Sequence, residues 1–204
     1  MGFKDFLGLS APLLSIINGS ILLRNYLRDK PKLTVHPINP DAYQWWFKLP
    51  DEKIENKLIR KCGFLVYIEI VNRGLRKVSL ESWKLYIRTI GFKQIELDAI
   101  SIPEPKGNIG KSEHLKFWPV LGQKGPLFDT STFIDSGNCI SGMAYYVLKI
   151  YDGEIYNPII KDEKINGKLI IKDVFGGQSN CDISFSKKSL EEITSIVEDI
   201  EKIV

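Results

Sequence analysis

The chain has 204 residues, of which 44% are hydrophobic and 26% are charged, and its formal net charge is +3. This composition excludes a disordered chain and is sufficient for one folded core of ordinary size. Because the net charge is small and basic residues alternate with acidic ones along most of the chain, the sequence argues against a nucleic-acid partner.

The first element in the chain is an uncharged, mostly apolar segment over residues 6–23. In helical geometry this segment spans about 27 Å, just short of the roughly 30 Å hydrocarbon core of a bilayer. Three interpretations stay open: a short membrane helix, an anchor lying in the membrane surface, or a helix that packs on protein. The residues expected to form the anchor and its basic flank are Phe6, Leu13, Leu14, Ile16, Ile17, Leu22, Leu23, Arg24 and Arg28.

An unusual cluster of aromatic residues follows, with four aromatic side chains in five positions. It can close an open end of a core, contact a partner protein or a membrane headgroup region, or form a stacking platform for a sugar or base. The last role requires exposed, coplanar rings. We take the cluster as the predicted interaction site, formed by Tyr43, Trp45, Trp46 and Phe47.

Residues 31–187 show the period-two alternation of β-strands, most clearly over residues 64–71. The face of that strand predicted to be buried carries Phe64, Val66, Ile68 and Ile70. The next strand is predicted to start at Val78, after a turn at residues 72–74. A one-residue slip in its alternation predicts a β-bulge near Glu81 and Ser82.

Turn dipeptides mark the later strands of the same region. Hairpin turns are predicted at residues 152–153, 166–167 and 176–177, each of which carries a glycine. About seven strands with turns this frequent predict an immunoglobulin-like antiparallel β-sandwich, so the fold class is mainly β.

Residues 188–204 predict an amphipathic C-terminal helix. Ser189 followed three residues later by Glu192 is a capping box, which marks a helix N-terminus. This helix either packs on its own domain or on the N-terminal helix, or it forms a homo-oligomer contact. Its apolar packing stripe is Leu190, Ile193, Val197, Ile200 and Val204.

Motifs that carry chemistry are weak in this sequence. Residues 107–112 end like a phosphate-binding loop, but Pro105 stands where such a loop needs glycine. His36 and His114 are isolated, and Asp173 is expected to bond the backbone amides of a turn. The three cysteines have neither zinc-ligand spacing nor an even number, which favours free thiols in a reducing compartment. We therefore predict no catalytic residue, metal or cofactor.

The segment KPKLTV, the stretch VNRGLRKVSLESWKLYI and the strand LIIKDVFG together show a family resemblance. The chain resembles a loose group of uncharacterised bacterial proteins with a short N-terminal membrane helix and an immunoglobulin-like domain. The resemblance covers residues 5–90 and 168–186 and implies an accessory subunit, in some cases within phage defence. The basic residues after the apolar segment and the unpaired cysteines predict a location at the cytoplasmic face of the inner membrane, or in the cytoplasm within a complex.

The sequence thus predicts an anchor or docking helix over residues 1–30, a sandwich over 31–187 and a helix over 188–204. We expect a non-catalytic protein-interaction or regulatory module with a protein partner, tethered to a membrane or held in a larger assembly. One alternative is a small membrane effector whose toxicity disappears when residues 1–30 are removed. The other is a carbohydrate-binding module that uses residues 43–47.

Overall fold

A computed structural model of the chain describes residues 3–55, 57–90, 93–100, 133–151, 157–197 and 199–202. The described part is mainly β-structure, with one long helix at its start. Its elements are α1 (Phe3–Asp29), β1 (Leu33–Pro37), β2 (Gln44–Ile54), β3 (Lys57–Asn72), β4 (Val78–Arg88), β5 (Gln94–Asp98), β6 (Phe133–Ile134), β7 (Cys139–Tyr151), β8 (Ile160–Lys161), β9 (Lys164–Asp173), β10 (Gln178–Lys187), α2 (Leu190–Thr194) and a 3-10 turn at Ile200–Lys202.

The strands form one mixed sheet that curls into two facing layers. The first layer has β3 at its centre, with β7 on one edge and β1 and β2 in succession along the other. The second layer runs in the order β10, β9, β4 and β5. Parallel pairing of β10 with β2 joins the layers on one side, and the Ile100 amide donates to the Tyr145 carbonyl at 2.7 Å on the other. The prediction of a mainly β, sandwich-like fold is confirmed.

The space between the layers holds the main hydrophobic core. The predicted inward face of β3 is confirmed, because Phe64, Val66, Ile68 and Ile70 all belong to this core. Phe64 meets Phe185 of the opposite layer edge to face, with ring centroids 5.2 Å apart. Alternating side chains of the two layers therefore build the interior, as the period of two requires.

A second, smaller core covers the outer face of β2, β3 and β7. It contains Trp45, Phe47, Leu65 and Tyr145 together with residues of the C-terminal segment. The members supplied by that segment are Ile193, Val197 and Ile200, with Leu190 packed beside them. Of the three interpretations of the stripe, the described residues thus adopt the one in which it packs on its own domain.

The single C-terminal helix expected over residues 188–204 is a broken one in the structure. The capping box is confirmed, since Ser189 Oγ accepts from the Glu192 amide and the Glu192 carboxylate accepts from the Ser189 amide. The helix then ends at Thr194, and Asp199 has a φ of 58° that a continuing helix cannot contain. Val204 lies outside the described residues.

Two of the predicted local irregularities are confirmed. The pairing of β4 with β9 shifts register between Leu80 and Ser82, which places the bulge at Glu81. The turn at residues 176–177 joins β9 to β10, and Gly176 supplies its positive φ of 82°.

The turn predicted at residues 166–167 is wrong. Gly167 lies inside β9 opposite Ile183, and the turn that precedes β9 is formed by Asp162 and Glu163, both with positive φ. A Cβ at Gly167 would be 2.9 Å from Ile87 Cδ1, so the glycine serves close packing between strands. The turn predicted at residues 152–153 lies outside the described residues.

Candidate functional site

The aromatic cluster that the sequence put forward as an interaction site is buried. Trp45, Trp46 and Phe47 are 5%, 2% and 0% exposed, and Tyr43 is partly exposed. Successive rings alternate between the two cores, with Trp46 inside the sandwich and Trp45 and Phe47 outside it. Three of the four rings are therefore inaccessible, and the partly exposed Tyr43 ring lies at 86° to that of Trp45. The carbohydrate-binding alternative, which needs exposed and coplanar rings, is wrong.

The apolar N-terminal segment forms α1, and its described side chains are exposed from Leu14 to Leu27. This excludes the interpretation in which that stretch packs on its own sandwich. Successive residues lie about 100° apart around a helix, so the exposed side chains of Ile21, Leu22 and Leu23 point in three different directions. The side chains of Phe6, Leu13 and Arg28 lie outside the described part. No helix among the described residues is both long and apolar enough to cross a membrane.

The end of the sandwich from which α1 emerges is held together by buried Asn72. The Asn72 amide nitrogen donates to the carbonyls of Arg76 at 2.7 Å and Ile134 at 3.1 Å, while its side-chain oxygen accepts from the Gly74 amide at 2.9 Å. The Arg73 amide donates to the Lys32 carbonyl at 2.8 Å, which ties this turn to the segment between α1 and β1. We call residues 30–32, 73–77, 133–138 and 174–177 the helix-proximal end.

The helix-proximal end exposes apolar and basic side chains together. Its exposed apolar residues are Leu75, Phe133, Val174 and Phe175. Its exposed basic residues are Lys30, Lys32, Arg73, Arg76 and Lys77. Asp135 forms an ion pair with Lys77 at 3.5 Å, and the Lys77 ammonium lies 4.7 Å from the centre of the Phe133 ring. This mixture of chemistries is typical of surfaces that meet anionic lipid headgroups.

The opposite end of the sandwich contains a cleft of about 530 Å³. Arg60, at this cleft, is separated from Asn72 by roughly 40 Å of extended strand. One wall comes from β2 and β3, and the other from residues 157–160, where the Ile90 amide donates to the Asn157 carbonyl at 2.9 Å. Residues that line the cleft include Trp46, Lys48, Asp51, Arg60, Cys62 and Pro158. We call this region the distal cleft.

The structure describes the surroundings of the three cysteines and of Asp173. Cys62, Cys139 and Cys181 are all free thiols, as predicted, and burial raises the pKa of Cys181 to about 12. Asp173 Oδ1 accepts from the amides of Phe175 at 2.8 Å and Gly177 at 2.9 Å, which confirms its predicted role in a turn.

The other residues considered for catalysis or for ligand binding do not come together into a site in the described part of the chain. His36 is exposed on β1, while His114 and residues 107–112 lie outside the described residues. Among the residues that the structure describes, no three metal-ligating side chains come together.

Comparisons with known proteins add little to these observations. No protein-family model and no curated protein matches the chain. A solved structure that resembles it is the X-ray structure of Northeast Structural Genomics Consortium target SoR45. The match has 11% identity and a TM-score of 0.31, and it covers 78% of this chain and 89% of that chain. At this level of similarity, function has to be argued from the residues of the chain itself.

Proposed function

We propose that the protein is a non-catalytic interaction module that α1 holds at a membrane surface, where the sandwich serves a protein-binding or regulatory role. The observation that carries this proposal is the exposure of the large apolar side chains of α1 from Leu14 to Leu27. Large apolar side chains exposed in several directions around a helix are stabilised when an apolar surface covers them. In the isolated chain the sandwich does not cover these described residues.

The helix-proximal end supports a membrane as the covering surface. Leu75, Val174 and Phe175 are exposed at turns, where single apolar side chains can enter the boundary between headgroups and acyl chains. Basic residues beside them, such as Arg73 and Arg76, would contact anionic lipid, each contributing about 1 kcal/mol near such a surface. Since α1 emerges from the same end, the helix and the turns can meet one surface together.

As the finer description of the fold we propose an immunoglobulin-type topology. That fold places strands A, B, E and D in one layer and C, F and G in the other. With β1 and β2 as A, and β3, β4, β7, β9 and β10 as B, C, E, F and G, the described strands follow the order A, B, E in one layer and C, F, G in the other. No described strand takes the D position, and β5 adds a strand beside C. Trp83, at the strand C position, is buried and its carbonyl accepts from the Tyr146 hydroxyl at 3.3 Å. An experimental structure with another strand order would contradict this assignment.

The experiment that tests the membrane proposal is fractionation of the native, untagged protein, with Ile17→Gln/Leu22→Gln as the variant. Both residues are exposed in the structure, so the changes leave the folded domain intact. The matched control is Ser15→Gln/Ser20→Gln, which alters equally exposed positions of the same helix without removing apolar surface.

We expect the native protein and the serine control in the membrane fraction, and the isoleucine–leucine variant in the soluble fraction. Recovery of the native protein in a soluble complex would contradict membrane attachment and indicate that a partner protein covers α1. Equal distribution of both variants would exclude the apolar side chains of α1 as the attachment site.

A further inference from the structure

We propose that the distal cleft is a binding site for a small amphipathic carboxylate, held by Lys48 and Arg60. This site lies at the end of the sandwich opposite the helix-proximal end and is independent of membrane attachment. Its volume of about 530 Å³ is within the roughly 300–1,000 Å³ range of small-molecule sites.

The first step in the argument is that both cations lie on the core-facing side of their strands. Directly paired residues of antiparallel strands share one face of the sheet. Lys48 is paired with Cys62, and Arg60 is paired with Ile150. Because Cys62 and Ile150 both belong to the core between the layers, Lys48 and Arg60 are in phase with the core, where the alternation calls for apolar residues. At this end of the sandwich both side chains are nevertheless exposed, so they are accessible to a ligand in the cleft.

The second step is that these two cations have no ion-pair partner among the described residues. Neither Lys48 nor Arg60 forms an ion pair with any residue that the structure describes, although Asp51 also lines the cleft. The neighbouring Lys61 provides the contrast, because it is buried and pairs with Glu52 at 2.6 Å. Departures from a strand's own pattern that have no internal partner are expected mainly at functional sites.

The third step concerns the ligand. The lining of the cleft includes the apolar residues Trp46, Leu49 and Ile150, while Ile90 and Pro158 belong to the opposite wall. A ligand that matches this apolar lining and the two cations has an apolar body and one anionic group. Arginine binds carboxylates through two parallel N–H bonds, and lysine adds a point charge. A small carboxylic acid with an alkyl or aryl portion satisfies all of these contacts.

The test is titration of the full-length protein with sodium octanoate, followed by amide chemical shifts in NMR spectra. Neutral octanamide is the matched probe that keeps the apolar chain and removes the charge. The protein variant is Lys48→Gln/Arg60→Gln, and Lys48→Arg/Arg60→Lys preserves the charge. Lys30→Gln/Lys32→Gln removes two charges at the helix-proximal end and serves as the control.

We expect saturable shifts with octanoate at residues 46–51, 60–62 and 157–160. Since the glutamine variant at the cleft loses its charge-assisted hydrogen bonds to the carboxylate, it should bind at least about tenfold more weakly. The charge-preserving variant and the control at residues 30 and 32 should retain most of the affinity. Absence of saturable shifts at the cleft, or equal binding of octanamide and octanoate, would overturn the proposal.

Discussion

The side chain of Asn72 donates a hydrogen bond to the backbone carbonyl of Ile134, 62 residues further along the chain, at 3.1 Å. The same side-chain nitrogen donates to the Arg76 carbonyl, and Asn72 itself is fully buried. One residue thus fixes both the turn after β3 and the segment before β7. The apolar and basic side chains of the helix-proximal end depend on this connection for their positions.

We expect Asn72→Ala to destabilise the protein by about 3 kcal/mol, because it leaves buried carbonyl and amide groups without partners. The measurement is the free energy of unfolding from urea titration. Asn138→Ala is the matched control, since Asn138 is exposed and its hydrogen bonds with Asn72 and Asp135 use backbone atoms. A loss below about 0.5 kcal/mol for Asn72→Ala would show that these hydrogen bonds do not hold the end together.

The packing of β2 on β3 makes a prediction about Gly63. A Cβ at this position would be 2.5 Å from Phe47 Cζ, and the Phe47 ring is itself stacked on Tyr145 with centroids 6.1 Å apart. We therefore expect Gly63→Ala to lower the free energy of unfolding by about 1–3 kcal/mol through overpacking. Gly19→Ala is the control, because nothing lies within 4 Å of its Cβ position. Equal stability of the two variants would contradict the described packing.

The capping box of α2 predicts a dependence of stability on acid pH. Hydrogen bonds from the Ser189 amide, Lys188 and the Ser189 hydroxyl lower the pKa of Glu192 from 4.5 to about 2. Because the folded pKa lies below the unfolded one, this contribution is complete above pH 4.5 and is lost as pH falls towards 2.

We expect the difference in unfolding free energy between the native protein and Glu192→Ala to shrink over this pH range. Glu191→Ala is the control, since it removes an exposed acid of the same helical turn but no capping box. A difference that stays constant from pH 6 to pH 2 would show that the Glu192 carboxylate does not cap the helix.

The three thiols should differ in reactivity. Burial raises the pKa of Cys62 and Cys181, and a hydrogen bond with Glu69 raises the pKa of Cys139, so the thiolate is disfavoured at all three. The difference lies in access, because Cys139 is exposed whereas Cys62 is buried and Cys181 is partly buried. We expect a thiol reagent to modify one cysteine rapidly in the native protein, and Cys139→Ser to abolish this rapid phase. The rapid phase should persist in Cys181→Ser. Three equally rapid thiols would contradict the burial of Cys62 and Cys181.

The local features of the fold could be predicted from the sequence because short-range patterns determine them. The alternation over residues 64–71 identified the inward face of β3, and a single slip in phase located the bulge at Glu81. Gly167 was misinterpreted because a glycine that makes a turn and one that allows close packing look alike in sequence. The two kinds of glycine are distinguished here only by the side chains of Ile87 and Phe185, which lie close to Gly167 on the neighbouring strands.

The surfaces could not be predicted in the same way, because long-range contacts decide what is exposed. Trp45 and Phe47 are buried by a C-terminal segment that follows them by about 145 residues, with Ile193 and Val197 in the same core. The position of Arg60 in the distal cleft could be inferred in part from the sequence, because Arg60 is in phase with Cys62 and Phe64 on β3. Only the pairing of Arg60 with Ile150 of β7 shows that this face belongs to the core between the layers.

The measurement that tests the central claim most directly is flotation of the purified full-length protein with lipid vesicles. Vesicles of phosphatidylglycerol and phosphatidylethanolamine provide an anionic surface, and phosphatidylcholine vesicles provide a neutral one. We predict that the native protein floats with the anionic vesicles and less with the neutral ones, while Ile17→Gln/Leu22→Gln stays at the bottom of the gradient. Native protein that does not float, or a variant that floats equally well, would contradict attachment through the exposed side chains of α1.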